Sequence, residues 1–260
     1  MKNLFAINEK IILVTGSGQG IGRSLAENMA ELGAFVYCFD IKFPNSIPKN
    51  LLKNLFHVKC DITNIKKFQK SCEKIFLKHQ KIDVLINNAY FNPNQSKYSS
   101  VSFEKFPLEL WNQVLAVNLT GVFLCSQEIG KTMVEQKNGI IVNISSIYGL
   151  LGADQRIYGK SNLNSPVSYA ATKGAIINLT KYLAAYWSKK NIRVNTLSLG
   201  GVVNKSYMKK DFIKKYSEKT MLGRMANKEE YRGPLLFLAS DASSYMTGSN
   251  LIVDGGWSAW

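Results

Sequence analysis

Short, wholly apolar runs alternate along this chain with longer stretches in which apolar residues recur every three or four positions. The runs at 11–14, 35–39, 56–58, 84–86, 140–144, 192–197 and 251–253 predict seven strands. They are apolar on both faces, the pattern of strands buried in a parallel sheet that is covered on both sides. Between them, Ile21, Leu25 and Met29 lie at helical spacing within 21–32, and 65–79 predicts a second helix. The stretch 107–136 reads as one long helix with an irregular start. Pro166, tolerated in a first helical turn, opens another that reaches about Trp187. Strand alternating with helix in this way predicts an α/β fold, a doubly wound parallel sheet of about seven strands with helices on both faces.

Two stretches break the rhythm. Residues 153–165 are polar and turn-rich, and residues 202–227 are lysine-rich and helical in part. Both follow strands. Ligands of open parallel sheets bind beyond the carboxyl ends of the strands, so both are candidate pocket walls. No linker or internal repeat interrupts the 260 residues. That length suits one α/β domain spanning 1–260, since such domains reach about 250 residues as single units.

Composition narrows the class. An apolar share of 46% with 11% aromatic residues excludes a disordered chain. The net charge of +15 raises the possibility of a nucleic-acid partner, but five arginines stand against 28 lysines, and no basic stripe is interleaved with aromatics. The expectation is a solvated lysine surface and no nucleic-acid partner. Cys38, Cys60, Cys72 and Cys125 form neither CxxC nor Cys/His ligand spacing, so a disulfide scaffold and a zinc site are not expected. Free cysteines suit a reducing cytoplasm. The first ten residues lack an apolar signal core, and no unbroken apolar run approaches the roughly 18 residues that read as a membrane span. A cytoplasmic protein without a membrane partner or metal is expected.

The candidate chemistry starts after the first strand, at Thr15-Gly16-Ser17-Gly18-Gln19-Gly20-Ile21-Gly22. Glycines allow a tight turn and let backbone N–H groups approach a pyrophosphate at a helix N-terminus. The spacing departs from GxGxxG, because Ile21 takes the last glycine position; it fits TGxxxGxG through Thr15, Gly16, Gly20 and Gly22. The second strand ends at Asp40. A carboxylate there can accept hydrogen bonds from the adenosine ribose and would repel a 2′-phosphate. Gln19 offers no cation for such a phosphate. Both features point to NAD in preference to NADP.

Here the chain resembles the single-domain branch of the short-chain dehydrogenase/reductase family. The resemblance rests on Thr15 through Gly22, Asp61, Asn87-Asn88-Ala89, Asn118, Ser146, Tyr169 with Lys173, Arg193-Val194-Asn195 and Asp254-Gly255-Gly256, in the family's order. It implies a Rossmann-like fold binding NAD(P) and acting on CH–OH groups. It also implies a cofactor site of Gly16, Gln19, Gly20, Ile21, Gly22, Asp40, Asp61, Ile62, Asn88, Ala89, Tyr169, Lys173, Gly200 and Val202, with Asp61 on the adenine edge and Ile62 on its face. Tyr169 and Lys173 lie four apart, on one face of the predicted helix. A neighbouring ammonium favours the phenolate of a tyrosine, whose ordinary pKa is about 10. By resemblance Tyr169 exchanges the substrate proton, Lys173 lowers its pKa and binds the nicotinamide ribose, and Asn118 holds a water linking the lysine to solvent. Ser146 orients the substrate oxygen. Ser145 competes for that role, but the family's catalytic serine stands three residues before a glycine, here Gly149.

The chain departs from the family pattern in four places. Tyr90 replaces a glycine after Asn-Asn-Ala, and Leu199 replaces a proline before Gly200. Asn204 stands near a position often held by threonine. Twenty-two residues separate Ser146 from Tyr169, more than the family norm. The extra segment, about 153–164, carries Asp154, Gln155, Arg156, Tyr158, Lys160, Asn162 and Asn164. Long active-site loops are usually functional. Arg156 can grip a phosphate or carboxylate, and Ser146, Tyr90, Arg156 and Tyr158 are candidate substrate contacts; packing against a second subunit is the equal alternative for the segment. The segment and the Asp254-Gly255-Gly256-Trp257 ending also resemble a subgroup associated with flagellin modification and surface-sugar biosynthesis. This implies a polar or anionic small substrate: a sugar, sugar phosphate or polyol. Two alternatives stand: an NADP-dependent 3-oxoacyl-[acyl-carrier-protein] reductase, and a catalytically silent NAD-sensing regulator. By resemblance the protein is a homotetramer.

Overall fold

The computed structural model describes residues 3–91, 101–161, 164–206 and 208–260. Asn162 and the side chain of Lys160, both in the polar segment singled out above, lie outside what is described. Seven strands form one sheet: β1 (Ile11–Thr15), β2 (Phe35–Asp40), β3 (Leu55–Lys59), β4 (Val84–Asn87), β5 (Gly139–Ser146), β6 (Ile192–Leu199) and β7 (Asn250–Val253). Their order is β3-β2-β1-β4-β5-β6-β7, and every pairing is parallel. The order reverses between β1 and β4, where the carboxyl ends of the strands open a crevice.

The helices are α1 (Gly20–Glu31), α2 (Ile65–His79), α3 (Leu108–Leu115), α4 (Val122–Gln136), α5 (Val167–Tyr186), α6 (Lys210–Ser217) and α7 (Arg232–Ala239). Two apolar layers flank the sheet because successive strand residues face opposite sides. One joins Val14, Val36, Ile86 and Val142 to Leu25 and Met29 of α1 and Leu235 and Leu238 of α7. The other joins Leu13, Phe39, Leu85 and Ile141 to Phe68 of α2, Ile129 and Met133 of α4 and Leu183 of α5.

Three boundaries differ from the sequence-based expectation. The long helix at 107–136 is broken by a π-helical segment, Ala116–Gly121, between α3 and α4. A β-carbon on Gly121 would lie 2.6 Å from Ile62 Cδ1, so the glycine lets the segment sit against Ile62. Pro166 is the N-cap of α5, one residue before the first turn, with extended backbone. The short helix α7 has only one clear apolar stripe of two turns and escaped a reading by period. The run Leu108–Gln136, taken as one, is long and apolar enough to cross a membrane by length and composition. In the fold its buried residues, Val114, Val122, Cys125, Ile129 and Met133, are enclosed within the protein.

Leu199, where a proline was the expectation, has a structural counterpart. β6 runs on through Leu199, which registers with Ser146 of β5 on one side and Val253 of β7 on the other. A proline has no N–H to give to such a ladder.

Candidate active site

The loop between β1 and α1 is built by close backbone approach. Gly16 sits at φ +66°, a left-handed conformation that L side chains disfavour, and its N–H donates to Phe39 O at 2.7 Å. A β-carbon on Gly22 would lie 2.2 Å from Gly16 O, and one on Gly18 1.9 Å from Lys42 O. Thr15 Oγ1 accepts from the N–H groups of Asn88 and Ala89, each at 3.1 Å. Asn88 Nδ2 donates to Thr15 O at 3.0 Å and Gly16 O at 2.8 Å. The Asn-Asn-Ala turn after β4 thus holds the glycine loop in shape. Gln19 is the N-cap of α1; it makes no side-chain cap, and no acidic residue stands in the first turn. The N–H groups of that turn, with the positive end of the helix dipole, are the donors an anion would use.

Asp40, at the end of β2, turns back toward this loop. Its Oδ2 accepts the Gly18 N–H at 2.8 Å, and its Oδ1 accepts the Lys42 N–H at 3.2 Å. The carboxylate is therefore fixed beside the glycine loop. Asp61 after β3 closes a turn on Thr63, accepting from its N–H at 2.9 Å and from its Oγ1 at 2.7 Å. Ile62 is buried against Gly121.

The other half of the site hangs on the end of β5. Lys173 Nζ donates to Ile144 O at 2.8 Å, and Ser145 Oγ donates to Lys173 O at 2.8 Å. A β-carbon on Gly149 would lie 2.6 Å from Lys173 O, so that glycine allows α5 to descend onto the strand end. These ties bring Ser146 within hydrogen-bonding reach of Tyr169, and Lys173 Nζ to 5.7 Å from the centre of the Tyr169 ring. Ser146 Oγ also accepts the Tyr148 N–H at 3.2 Å. Burial pushes the Tyr169 phenol up, with the Ser146 hydrogen bond opposing. Burial pushes the Lys173 ammonium down to about 8. Of the two groups, Lys173 is therefore the one that gives up its proton first.

Behind the pair runs a buried polar chain whose function was not anticipated from the sequence. Asn87 Nδ2 donates to Asn143 Oδ1 at 2.8 Å, Asn143 Nδ2 to Thr180 Oγ1 at 2.9 Å, and Thr196 Oγ1 to Thr180 Oγ1 at 2.8 Å. It pins β4, β5, α5 and β6 at one depth. Asn87 and Asn143 at interior strand positions were the available signal. Asn118 lies in the π-helical segment, and its amide clasps the Phe91 backbone, accepting from N at 2.7 Å and donating to O at 3.3 Å.

The candidate substrate residues divide. Tyr90 lies over the pair, its ring centre 6.3 Å from that of Tyr169 in an edge-to-face arrangement. Tyr158 hydrogen-bonds Tyr148 beside Ser146 and packs on Phe212 of α6, ring centres 5.4 Å apart. Arg156 is engaged locally: its guanidinium is bound in fork fashion by Asp154, at 2.8 and 2.9 Å, with the side chain 83% exposed. Asn204 Oδ1 accepts from Ser206 N and Oγ, closing an exposed turn. Gly200 lies against Asp254, and its carbonyl accepts from Tyr231 OH at 2.9 Å; Val202 bridges to Ala226.

Within the polar segment, Ile157 packs inward. Ile157, 1% exposed, joins Ile147, Tyr216, Met225 and Trp257 in a third apolar cluster, with Tyr158 and Phe212 at its edge. Asp154 holds Lys219 at 2.9 Å as well as Arg156, and Gly159 abuts Lys215 of α6. Among the described residues no group of three or more His, Cys, Asp or Glu side chains is placed to hold a metal ion.

The family model described as Enoyl-(Acyl carrier protein) reductase matches residues 16–258. The chain is 32% identical to Post-translational flagellin modification protein A of Campylobacter coli, over 78% of each chain. It is 33% identical to the 3-oxoacyl-[acyl-carrier-protein] reductase FabG of Aquifex aeolicus, over 96% of this chain and 98% of that one. Against the NAD-dependent glycerol dehydrogenase of Listeria innocua it is 34% identical, over 97% and 95%. Among solved structures, a short chain dehydrogenase from Leptospira borgpetersenii with bound NAD+ superposes with a TM-score of 0.89 at 38% identity, covering 99% of this chain and 96% of that one.

Proposed function

The chain belongs to the short-chain dehydrogenase/reductase family, an NAD(P)-dependent oxidoreductase acting on CH–OH groups, and from that premise we propose that it is NAD-dependent and works on a sugar, sugar phosphate or polyol. The observation that carries the reading is the assembly of Ser146, Tyr169 and Lys173 beyond the end of β5, linked to the glycine loop by the turn after β4, whose Ala89 abuts Gly16 and whose Tyr90 ring lies 5.9 Å from Lys173 Nζ. A dinucleotide fits the loop opposite: the first turn of α1 has neither a side-chain cap nor an acidic residue, and a β-carbon on Gly20 would meet only open space. Gly16, Gln19, Gly20, Ile21 and Gly22 would hold the pyrophosphate, and Asp40 the adenosine ribose. Asp61, Ile62, Asn88 and Ala89 would line the remainder toward the adenine and nicotinamide, with Gly200 and Val202 on the far wall. Bound there, the nicotinamide supplies the hydride acceptor or donor.

The chain's own residues supply the rest. Ser146 holds the substrate oxygen. Tyr169 takes the hydroxyl proton during oxidation and returns it to the carbonyl oxygen during reduction. Lys173, kept cationic, favours the phenolate form of Tyr169 and is placed to bind the nicotinamide ribose. Because the phenolate depends on that cation, oxidation should be lost as the pH rises past about 8, where Lys173 gives up its proton.

Support for NAD is the fixed Asp40 carboxylate, which would meet a 2′-phosphate with like charge. Support for a polyhydroxylated substrate is the phenol lining of Tyr90, Tyr148 and Tyr158, together with the glycerol dehydrogenase and flagellin-modification relatives. A phosphorylated substrate would have to take Arg156 from Asp154, so free sugars and polyols fit this lining better. Self-association, as a homotetramer in our reading, is supported by Phe123 on α4 and Tyr182 and Tyr186 on α5, all exposed. The test is a turnover screen with NAD and NADP over polyols, free sugars, sugar phosphates and 3-oxoacyl thioesters. NAD-linked oxidation of a polyol or sugar is expected. Strong NADPH preference with 3-oxoacyl reduction would replace this reading with the acyl-carrier one, which the FabG likeness favours.

A further inference from the structure

The residue that most sets this site apart is Tyr90. Its position follows Asn87-Asn88-Ala89 at the end of β4, where the resemblance leads one to expect glycine. The ring covers the Tyr169–Lys173 pair. Lys173 Nζ lies 5.9 Å from the Tyr90 ring centre and 5.7 Å from that of Tyr169, with Ile144 O at 2.8 Å as its hydrogen-bond acceptor. Lys173 itself is 3% exposed, whereas Tyr90 is half exposed at the rim. A buried ammonium with one carbonyl acceptor and two aromatic rings within about 6 Å is in an aromatic cage, and each ring face attracts the charged form. A glycine at position 90 would leave one ring.

We propose that Tyr90 is a positioning residue that keeps Lys173 protonated in its buried site, a role the substrate-contact reading of this residue does not include. The inference deepens the proposed function of the same site and rests on it for the meaning of the pair.

The groups that face Lys173 can be named element by element. α5 contributes Tyr169. β5 contributes the Ile144 carbonyl directly and Ser146 through Tyr169. The turn after β4 contributes Tyr90 and the 153–164 segment contributes Tyr158, and both also act on Tyr169, pushing its phenol up. Among the described residues no carboxylate, second lysine, arginine or histidine shifts Lys173; burial alone pulls it down. With no anion to hold the proton, the aromatic faces are the side-chain counterweight to burial. A cation–π contact to a half-exposed ring lies between the exposed and the desolvated limits and corresponds to between about half and one pH unit in an ammonium pKa.

The test uses the full-length protein and four forms: wild type, Tyr90→Phe, Tyr90→Leu and Tyr90→Gly. Tyr90→Phe keeps the ring face, Tyr90→Leu keeps bulk without it, and Tyr90→Gly is the family residue. Two readouts are followed from pH 6 to 10: NADH affinity by fluorescence, and kcat for oxidation of the substrate found in the screen. The expected result is a midpoint near 8 in wild type and Tyr90→Phe, and about half to one unit lower in Tyr90→Leu and Tyr90→Gly. Plateau kcat should fall several-fold in the latter two, because the neutral lysine no longer favours the phenolate. Unchanged midpoints in Tyr90→Leu and Tyr90→Gly, with only KM for substrate raised, would overturn the proposal and make Tyr90 a pocket wall. So would a Tyr90→Phe protein as shifted as Tyr90→Leu, which would assign the effect to the hydroxyl. If no alcohol or ketone turns over, the oxidoreductase reading fails separately, while the binding midpoints still decide the role of Tyr90.

Discussion

The two sides of the crevice are built by different means. The cofactor side, from β1 to β4, is made by backbone: Gly16, Gly18 and Gly22 allow main chains to approach, and Thr15, Asn88 and Asp40 lock them with hydrogen bonds to N–H and C=O groups. The side we assign to the substrate, beyond β5 and β6, is made by side chains: Ile157, Tyr158, Phe212, Tyr216, Met225 and Trp257 meet from four separate stretches of chain. A backbone cradle tolerates almost no change and carries no choice of substrate. A side-chain wall tolerates change and is where choice is encoded. The comparison predicts that mutations on the two sides separate cofactor binding from substrate binding, and that loss of the Tyr169 hydroxyl alone changes turnover far more than NADH binding.

The largest effect tests that last point. Tyr169→Phe removes the proton-transfer group and leaves the ring against Lys173. Turnover should fall by about 10² to 10⁴, the usual worth of a positioned acid–base group, while NADH affinity measured by fluorescence stays within about threefold. Loss of NADH binding in this variant would mean that the two sides are not separable. Next comes Gly22→Ala. Its new β-carbon would meet Gly16 O at 2.2 Å, a backbone atom that cannot swing aside. NADH affinity should drop at least roughly tenfold, or the thermal midpoint should fall by several degrees, since overpacking costs about 1–3 kcal/mol. A variant with wild-type affinity and midpoint would show that the cradle is looser than its geometry.

Asp40→Ser sharpens the comparison within the cofactor side. It removes the carboxylate from the Gly18 and Lys42 N–H groups without touching a glycine. Like-charge contacts cost several kcal/mol, and each factor of ten is about 1.4 kcal/mol, so NADPH affinity should improve by about ten- to a hundredfold. Unaltered selectivity in competition binding would remove Asp40 from the discrimination. On the opposite wall, Ile157→Ala empties a fully enclosed position. It should cost about 2 kcal/mol, the low end for such truncations because the segment can settle, and raise substrate KM several-fold with NADH affinity untouched. Calorimetry and steady-state kinetics decide it.

The same contrast explains what the sequence disclosed. The seven strands and their parallel pairing follow from runs such as Ile-Ile-Leu-Val at 11–14, whose burial is local information. Gly16 to Gly22 and Asp40 were legible as candidates because they follow strand ends directly, whereas Ser146, Tyr169 and Lys173 were singled out by the family resemblance, since 22 residues separate the serine from the tyrosine. The substrate wall was not legible in that way. Residues 153–164 have no period, and their partners Phe212, Tyr216 and Trp257 lie 50 to 100 residues downstream. Polar content suggested that the segment served a ligand or a second subunit. Ile157, fully buried among the described residues of the segment, docks it on α6 and its neighbours. Arg156 illustrates the limit most sharply. Its type suggests an anion grip, but Asp154 two residues earlier had the prior claim, and only three-dimensional geometry shows the fork closed. Tyr90 is the reverse case: the departure from glycine was visible, and its meaning came from the ring distances to Lys173 and Tyr169.

Asp154 supplies the weakest and most specific test of the substrate wall. The Arg156 and Lys219 side chains beside it hold its carboxyl well below the usual carboxylate range. A depressed acid contributes stability above its unfolded value, about 3.9, and loses it as the pH falls below that toward the folded value. Both partners are well exposed, so the clasp is a small term and salt should weaken it. Asp154→Asn should therefore shift the urea midpoint only slightly below wild type from pH 8 to pH 5, with the gap closing under about pH 4, where wild type loses the same contact. KM for substrate should rise up to about twofold, through a looser segment over α6, and by less than for Ile157→Ala, because a surface ion pair contributes less than a buried side chain. A gap that stays constant down to pH 3 would show that the asparagine acts on packing and that the charge pair contributes nothing. A loss as large as that of Ile157→Ala would mean that the wall is held from its ionic rim and that its apolar centre is secondary.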